Sequence, residues 1–445
     1  MKRELRLMLR LAWPVILAEL GWITMGIVDT VVVRRLGPAA IGAVGTGSTI
    51  FITVMVLGIG TLLALDTFVS QSFGAGRVDE CHRWLFAGLQ LAAVLSVALI
   101  FVTLGVVAVL PAAGMHPDVT ALLRPYLAHL MWSAPPLLAY TVFRRYLQAM
   151  NAVRPVMVAL LSANVINAAA NWILVYGAFG VPPLGVIGSA YATVAARVYM
   201  ALFLGFIILR NERRRPSGLH DVPFVWERAR ILRLVRLGVP AALQVALEVG
   251  VFATASALAA RMTPLALAAN QIVLNVASFF FMIPFGLGSA AAVRVGQAAG
   301  RGDSRSARRS GAVALLVALV YAMVMSTLFA AWPRLFLNVF TQDGALLRVG
   351  VSVLLVYSIF QPLDGLQTVA TGALRGIGET RMPMWANFVG HWCIGLPIAY
   401  VLCFRRHWGV EGLWMGLGVG IALIGATLVW TWFRSSRRPN YLSAS

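Results

Sequence analysis

Apolar stretches recur from one end of the chain to the other, separated by short polar segments in which arginine predominates. A helix needs roughly 20 mostly apolar residues to cross the hydrocarbon layer of a bilayer. Stretches of about that length fall near 11–33, 41–69, 84–111, 125–150, 155–177, 185–209, 237–260, 265–291, 311–337, 348–374, 383–404 and 409–433. The pattern predicts an all-α polytopic membrane protein with twelve spanning helices. The first stretch follows the basic start "MKRELRLMLR" but runs on to Val33, longer than a signal-peptide core and without a small-residue cleavage site. It reads as a retained span.

Composition agrees: of 445 residues, 60% are hydrophobic and 12% charged, against about 25% charged in soluble domains. The net charge of +20 would suit nucleic acid in a soluble chain, but its distribution argues otherwise. Basic residues gather at the N-terminus, in every second gap and after the last span, where Arg437 and Arg438 stand. That bias orients membrane proteins with the basic side inside. It predicts a cell (inner) membrane protein, both termini cytoplasmic, whose charge meets anionic lipid rather than nucleic acid. Cys81 is placed in an inner loop, and Cys393 and Cys403 are about 15 Å apart along one helix, too far to pair.

The chain is internally repeated. At a constant offset of 226, Pro14 matches Pro240, Arg35 matches Arg261, Pro38 matches Pro264 and Gly60 matches Gly286. Gln71, Gly74 and Gly76 match Gln297, Gly300 and Gly302, so "QSFGAGR" and "QAAGRGD" read as equivalent inner loops. "GVIGSA" at 185 and "GVEGLW" at 409 match with the offset drifting to 224. These matches divide the chain into a lobe at 1–209, a basic cytoplasmic linker at 210–236 and a lobe at 237–445. Six spans per lobe is an even number, so the repeats are parallel, related by a pseudo-twofold axis along the membrane normal. Transporters built this way place a substrate cavity between two bundles.

Five of the sixteen acids fall inside spans: Glu19, Asp29, Asp66, Glu248 and Asp364. Each costs roughly 2.5–3.5 kcal/mol at mid-membrane on insertion scales, so it needs a partner, a wet cavity or a proton. Glu248 and Asp364 lie deep, and Asp29 lies in the outer half of the first span. Asp66 sits near the inner end of the second, where a structural role is favoured; Glu19 fits either role. The repeat does not carry these acids: Asp29 matches Ala255, Glu248 matches Trp22, Glu19 matches Val245 and Asp66 matches Ala292. A duplicated scaffold with unduplicated charges points to function. Arg197 reads as the one basic residue in mid-span. It cannot discharge; its candidate partners are Glu19, Asp66 and Asp29, and pairing with Glu19 or Asp66 would leave Asp29 free.

These landmarks resemble the multidrug and toxic compound extrusion (MATE) family over essentially the whole chain. The resemblance rests on "VDTVVVRRLGPAAIGAVG", "SQSFGAGR", "GVIGSAYAT" and "FQPLDGLQTVATGALRGIGETRMP", in that order. It implies a cation-coupled antiporter that exchanges Na⁺ or H⁺ for organic, mostly cationic compounds. Asp29, Glu248 and Asp364 match the acids that carry cation and drug binding in the NorM-like branch, with a Na⁺ site at Glu248 and Asp364. "NVINAAAN" departs from an Asn-x-x-x-Asp pattern found in many relatives, giving Asn167 and Asn171 with an amide in place of the acid. A proton mechanism using that pair is thereby in doubt. Trp22, Met25, Phe280, Phe281, Met282 and Phe285 are candidates for an adaptable apolar cavity wall.

Other classes fit less well. Lys2 is the only lysine, so no P-loop is available, and no HExxH, GxSxG or aspartate-rich motif suggests an enzyme. No cofactor, nucleic acid or obligate protein partner is expected beyond the coupling ion, organic cations and membrane lipids. The alternative is a flippase for a lipid-linked saccharide or other amphiphile of the related exporter superfamily. It would favour an arginine-rich cavity, whereas the chain's mid-span charges read as mainly acidic.

Overall fold

A backbone amide in hydrocarbon has no water to bond, so a chain this apolar satisfies its polar backbone within helices. The computed structural model describes residues 2–110 and 116–436, and no strand occurs among them. The helices are α1 (Lys2–Val33), α2 (Pro38–Leu62), α3 (Ala64–Gly74), α4 (Val78–Val109), α5 (Pro117–Leu130), α6 (Ala134–Ala149), α7 (Val153–Tyr176) and α8 (Gly185–Arg214). They continue with α9 (Arg228–Ala259), α10 (Pro264–Gly300), α11 (Ser304–Ala331), α12 (Pro333–Leu337), α13 (Gly344–Gly376), α14 (Arg381–Asn387), α15 (Leu396–Tyr400) and α16 (Gly409–Ser435). Pro111, near the expected end of the third span, and the basic Arg437 and Arg438 lie outside the described residues.

Among the described residues, eleven helical stretches are long and apolar enough to cross a membrane. The remaining expected span, 125–150, is split into α5 and α6 by a 3-10 turn at Met131–Ser133. The cause is local. Pro135 and Pro136 have no N–H, so the carbonyls of Met131 and Trp132 lose their α-helical donors, and the Ala134 N–H bonds to the Met131 carbonyl instead. The eleventh span is irregular too, with π-helical turns at Phe388–Gly395 and Val401–Arg405.

The two matched "loops" are shorter than expected, because helix runs through "QSFG" and "QAAG" and stops only at the glycines that follow. Gly76 and Gly302 adopt φ of 75° and 72°, a left-handed conformation that glycine takes without Cβ strain and that ends helices. Cys81, expected in a loop, is buried in the first turns of α4. At the start of α13, Asp343 accepts from the Ala345 and Leu346 amides. Those bonds, the Leu346 amide first, hold its carboxyl below the usual carboxylate range.

The chain forms two compact units, Leu17–Ala242 and Met1–Ile16 with Leu243–Ser445. The expected lobe boundaries at 209 and 237 fall inside α8 and α9. In the first unit the segment after α8 is packed along α4. His82 bridges Tyr146 Oη at 2.8 Å and the Ser217 carbonyl at 3.1 Å, and Gln90 donates to the Val225 carbonyl at 3.0 Å. Arg230 makes a two-pronged contact with Glu80 at 2.7 and 2.9 Å. In the second unit the start of α1 is held by Glu4, which accepts from Arg294 at 2.9 Å and from Ser310 Oγ at 2.7 Å.

Within that unit α10 and α13 approach so closely that a Cβ on Gly372 would overlap the Gly288 backbone. Small residues allow such contact between membrane helices, where packing rather than water drives association. Gly372→Val is expected to lower stability by about 1–3 kcal/mol, the usual cost of overpacking, while Gly105→Val, with open space around it, should be near neutral. Thermal unfolding of the detergent-purified variants measures both.

Candidate functional site

The first unit gathers its polar chemistry around Asp29, which is only 4% exposed. Helical spacing puts Asn167 and Asn171 one turn apart on α7, and both amides donate to Asp29 Oδ1, at 3.1 and 2.7 Å. Thr193 on α8 lies 3.0 Å from Asp29 Oδ2 and 3.1 Å from the Ser189 carbonyl, so its single proton serves one of them. The amide oxygens of Asn167 and Asn171 are buried without a partner among the described residues. Both amides turn N–H groups to Asp29 and their oxygens away from it, so the site as built is a set of neutral donors around a carboxylate.

The expected partners of Arg197 are corrected by the structure. Glu19 pairs with Arg144, and Asp66 pairs with Arg145 at 3.2 Å. Arg144 and Arg145, six and five residues before the end of the expected span 125–150, are both buried inside α6. Burial of Glu19 and Asp66 demands compensation nearby, and α6 supplies it by turning two arginines inward. Arg197, one helical turn beyond Thr193, instead donates from Nη1 to Ser133 Oγ at 2.5 Å. Its guanidinium lies over Phe51 at 4.7 Å and Trp22 at 5.9 Å. It feels the charge of Asp29, yet no carboxylate reaches ion-pair distance of it among the described residues.

In the second unit Glu248 on α9 is half-buried and accepts from Gln244 Nε2 at 3.0 Å. Asp364 on α13 is 8% exposed, with the Tyr357 hydroxyl donating to its Oδ2 at 3.4 Å. The two carboxyls are close enough to interact electrostatically. Neither forms an ion pair among the described residues. Pro362 withholds the N–H that the Ser358 carbonyl would use, and Ser326 Oγ on α11 takes that carbonyl at 2.6 Å. No group of three or more His, Cys, Asp or Glu suited to a metal ion occurs among the described residues.

The apolar candidates are spread over different settings. Met25 is buried in the first unit's core, where Trp22 is half-buried beside Arg197. Phe280 belongs to an aromatic cluster, edge-on to Phe329 at 5.2 Å and to Phe336 at 5.5 Å. Phe281 and Phe285 are tilted together at 6.1 Å, and Met282 is half-buried nearby on α10. Of the membrane histidines, His129 bonds the Pro125 carbonyl at 2.6 Å, and His391 is buried edge-on to Phe252.

Sequence reasoning did not single out Thr193, Gln244, Tyr357, Arg144 or Arg145. Gln244 was within reach, four residues before Glu248 on one helical face. Thr193 closes the quoted "GVIGSAYAT". Arg144 and Arg145 could be found only by asking what neutralises Glu19 and Asp66.

The MatE family model matches residues 14–173 and 240–401. A relative from Bradyrhizobium diazoefficiens, named "Probable multidrug resistance protein NorM", is 35% identical over 436 residues, covering 97% of this chain and 93% of the relative. "Multidrug resistance protein MdtK" of Edwardsiella ictaluri is 32% identical, covering 94% and 93%. Among solved structures, the eukaryotic MATE transporter AtDTX14 superposes with a TM-score of 0.87 over 98% of each chain, at 20% identity.

The ion pairs of the first unit can be tested apart from transport. Arg144→Met leaves Glu19 charged and buried, and is expected to cost about 3–5 kcal/mol. Adding Glu19→Leu removes the stranded charge and should recover most of that loss. Thermal unfolding in detergent of the single and double variants measures the difference.

Proposed function

The chain belongs to the MatE family of transporters, and from that premise we propose that it is a cation-coupled antiporter. It exports organic, mostly cationic amphiphiles by alternating access, in exchange for Na⁺ or H⁺. The observation that carries the reading is the pair Glu248 and Asp364. They are intramembrane carboxyls, near enough to feel each other, and among the described residues each receives one neutral hydrogen-bond donor but no arginine. Glu19 and Asp66, by contrast, are matched with guanidinium groups. Uncompensated intramembrane acids are costly and mark ion and substrate pathways. The relatives' names, which speak of multidrug resistance, support organic cargo.

Exchange follows from charge balance. Ionised, Glu248 and Asp364 attract either a lipophilic cation or the coupling ion, and the two compete for the same negative charge. Binding of the coupling ion from outside neutralises the carboxyls, weakens their hold on cargo and permits return to the inward-facing state. A ligand shifts such an equilibrium only by binding the two states unequally. Asp29 forms a second coupling site, a carboxylate held by neutral amide and hydroxyl donors and paired with no guanidinium among the described residues. Both termini lie on the cytoplasmic side of the cell membrane in this reading.

Efflux of a lipophilic cationic dye from proteoliposomes, with Na⁺ and pH gradients imposed separately, tests the proposal. Wild-type protein is expected to export under one gradient and identify the coupling ion. Glu248→Gln and Asp364→Asn are each expected to reduce gradient-driven export at least about tenfold, the effect of losing roughly 1.4 kcal/mol of cation binding. Asp29→Asn should abolish coupling while the protein inserts normally. Full export by all three variants would sink the assignment.

A further inference from the structure

The buried charges of the first unit are balanced residue by residue, except at one place. Glu19 takes Arg144 and Asp66 takes Arg145. Asp29 takes neutral donors from Asn167, Asn171 and Thr193, and Arg197 rests on Ser133 and two aromatic faces. Apart from Glu212, which lies in the last turn of α8 and accepts from the Ser217, Gly218 and Leu219 amides, three buried acids thus face three buried arginines, with one acid and one arginine near each other but unjoined. An arginine stays charged under all working conditions. The set of Glu19, Asp29, Asp66, Arg144, Arg145 and Arg197 within the spans is therefore neutral while Asp29 is ionised. It carries one net positive charge once Asp29 holds a proton or a metal ion.

Arg197 has capacity to spare. It is 7% exposed, its Nη1 is engaged by one hydroxyl, and its Nε is buried without a partner. The rings of Phe51 and Trp22 hold the guanidinium plane but use none of its N–H groups. A planar fork held in this way matches a carboxylate in two-point geometry. The repeat supplies no equivalent: offsets of 224 to 226 from Arg197 fall on Ile421, Ala422 and Leu423. The second unit keeps two unpaired acids and the first keeps an unpaired arginine, on a duplicated scaffold.

We propose that Arg197 is a specificity-determining residue, which binds the carboxylate end of a zwitterionic amphiphile and excludes a second positive charge from the surroundings of Asp29. This rests on the reading of the chain as an exporter of organic cations and adds what that reading leaves open, the charge pattern of the preferred cargo. Like-charge contact in a dry site is strongly unfavourable, so a cation-only molecule gains nothing here. A zwitterion gains a charge-assisted contact at Arg197.

Two rhodamines separate the terms. Rhodamine B carries a free carboxylate on a cationic ring system, and rhodamine 6G carries the same kind of ring system with that acid esterified. Their affinities for the purified full chain are measured by fluorescence titration, for wild type, Arg197→Gln and Arg197→Lys. Arg197→Gln is expected to lower the rhodamine B to rhodamine 6G affinity ratio by about tenfold, and Arg197→Lys by no more than about threefold. Benzoate, added to the wild type, should displace rhodamine B and leave rhodamine 6G bound; this holds whether or not the glutamine variant folds. A ratio unchanged by Arg197→Gln, or equal displacement of both dyes by benzoate, overturns the proposal alone. Wild-type protein that binds neither dye overturns the cargo reading together with it.

Discussion

A charge placed within a membrane-spanning helix has to be answered locally, and that constraint governs much of the first unit. Water is absent from the hydrocarbon layer, and Debye screening does not reach a buried group. Glu19 on α1 and Asp66 on α3 are met by Arg144 and Arg145 on α6. Neighbouring arginines on one helix thus tie α6 to both α1 and α3. Such pairs add little net stability, since desolvation consumes most of the Coulomb attraction, but removing one partner is severe. They act as a register: α6 cannot turn or slide without stranding two charges.

Against that background the remaining acids stand out by what they lack. Asp29 is held by two amides and a hydroxyl, which stabilise a carboxylate without discharging it. Glu248 and Asp364 receive one neutral donor each. A fold selected for stability alone would pair such groups or replace them with leucine. Their contrast with the paired Glu19 and Asp66 separates acids that hold the scaffold from acids that the scaffold leaves without a counter-charge.

Much of this architecture is legible in sequence because hydrophobic length is a direct physical requirement of the bilayer. Eleven of the spans appear as single helical stretches, and the exception has a cause visible in the sequence, the Pro135–Pro136 pair. The limits of the reading were set by residues whose role depends on partners far along the chain. Arg144 and Arg145 stand at the end of an apolar run and look like interfacial anchors; only the distant Glu19 and Asp66 make them internal. Arg197 was noticed as a mid-span cation, but its neighbours Phe51, Trp22 and Ser133 come from three separate segments. The Asn167 and Asn171 amides, set apart as a departure from the family pattern, turn out to bond Asp29 itself. Local spacing gives helices and their capping; pairing across a hundred residues requires the fold.

The duplication sharpens the physical argument about exchange. Gly76 and Gly302 end equivalent helices with nearly the same positive φ, so the two halves share local geometry where geometry alone is at stake. Where charge is at stake they diverge. The second unit concentrates two carboxyls with no arginine paired to either among the described residues, whereas the first pairs Glu19 and Asp66 with arginines and leaves Asp29 and Arg197 unjoined. Two equal acidic units would hold a cation in either place and gain nothing by releasing it. In the proposed exchange the two units would respond differently to neutralisation: at Glu248 and Asp364 it would remove attraction for a cationic group, and at Asp29 it would expose the uncancelled charge of Arg197.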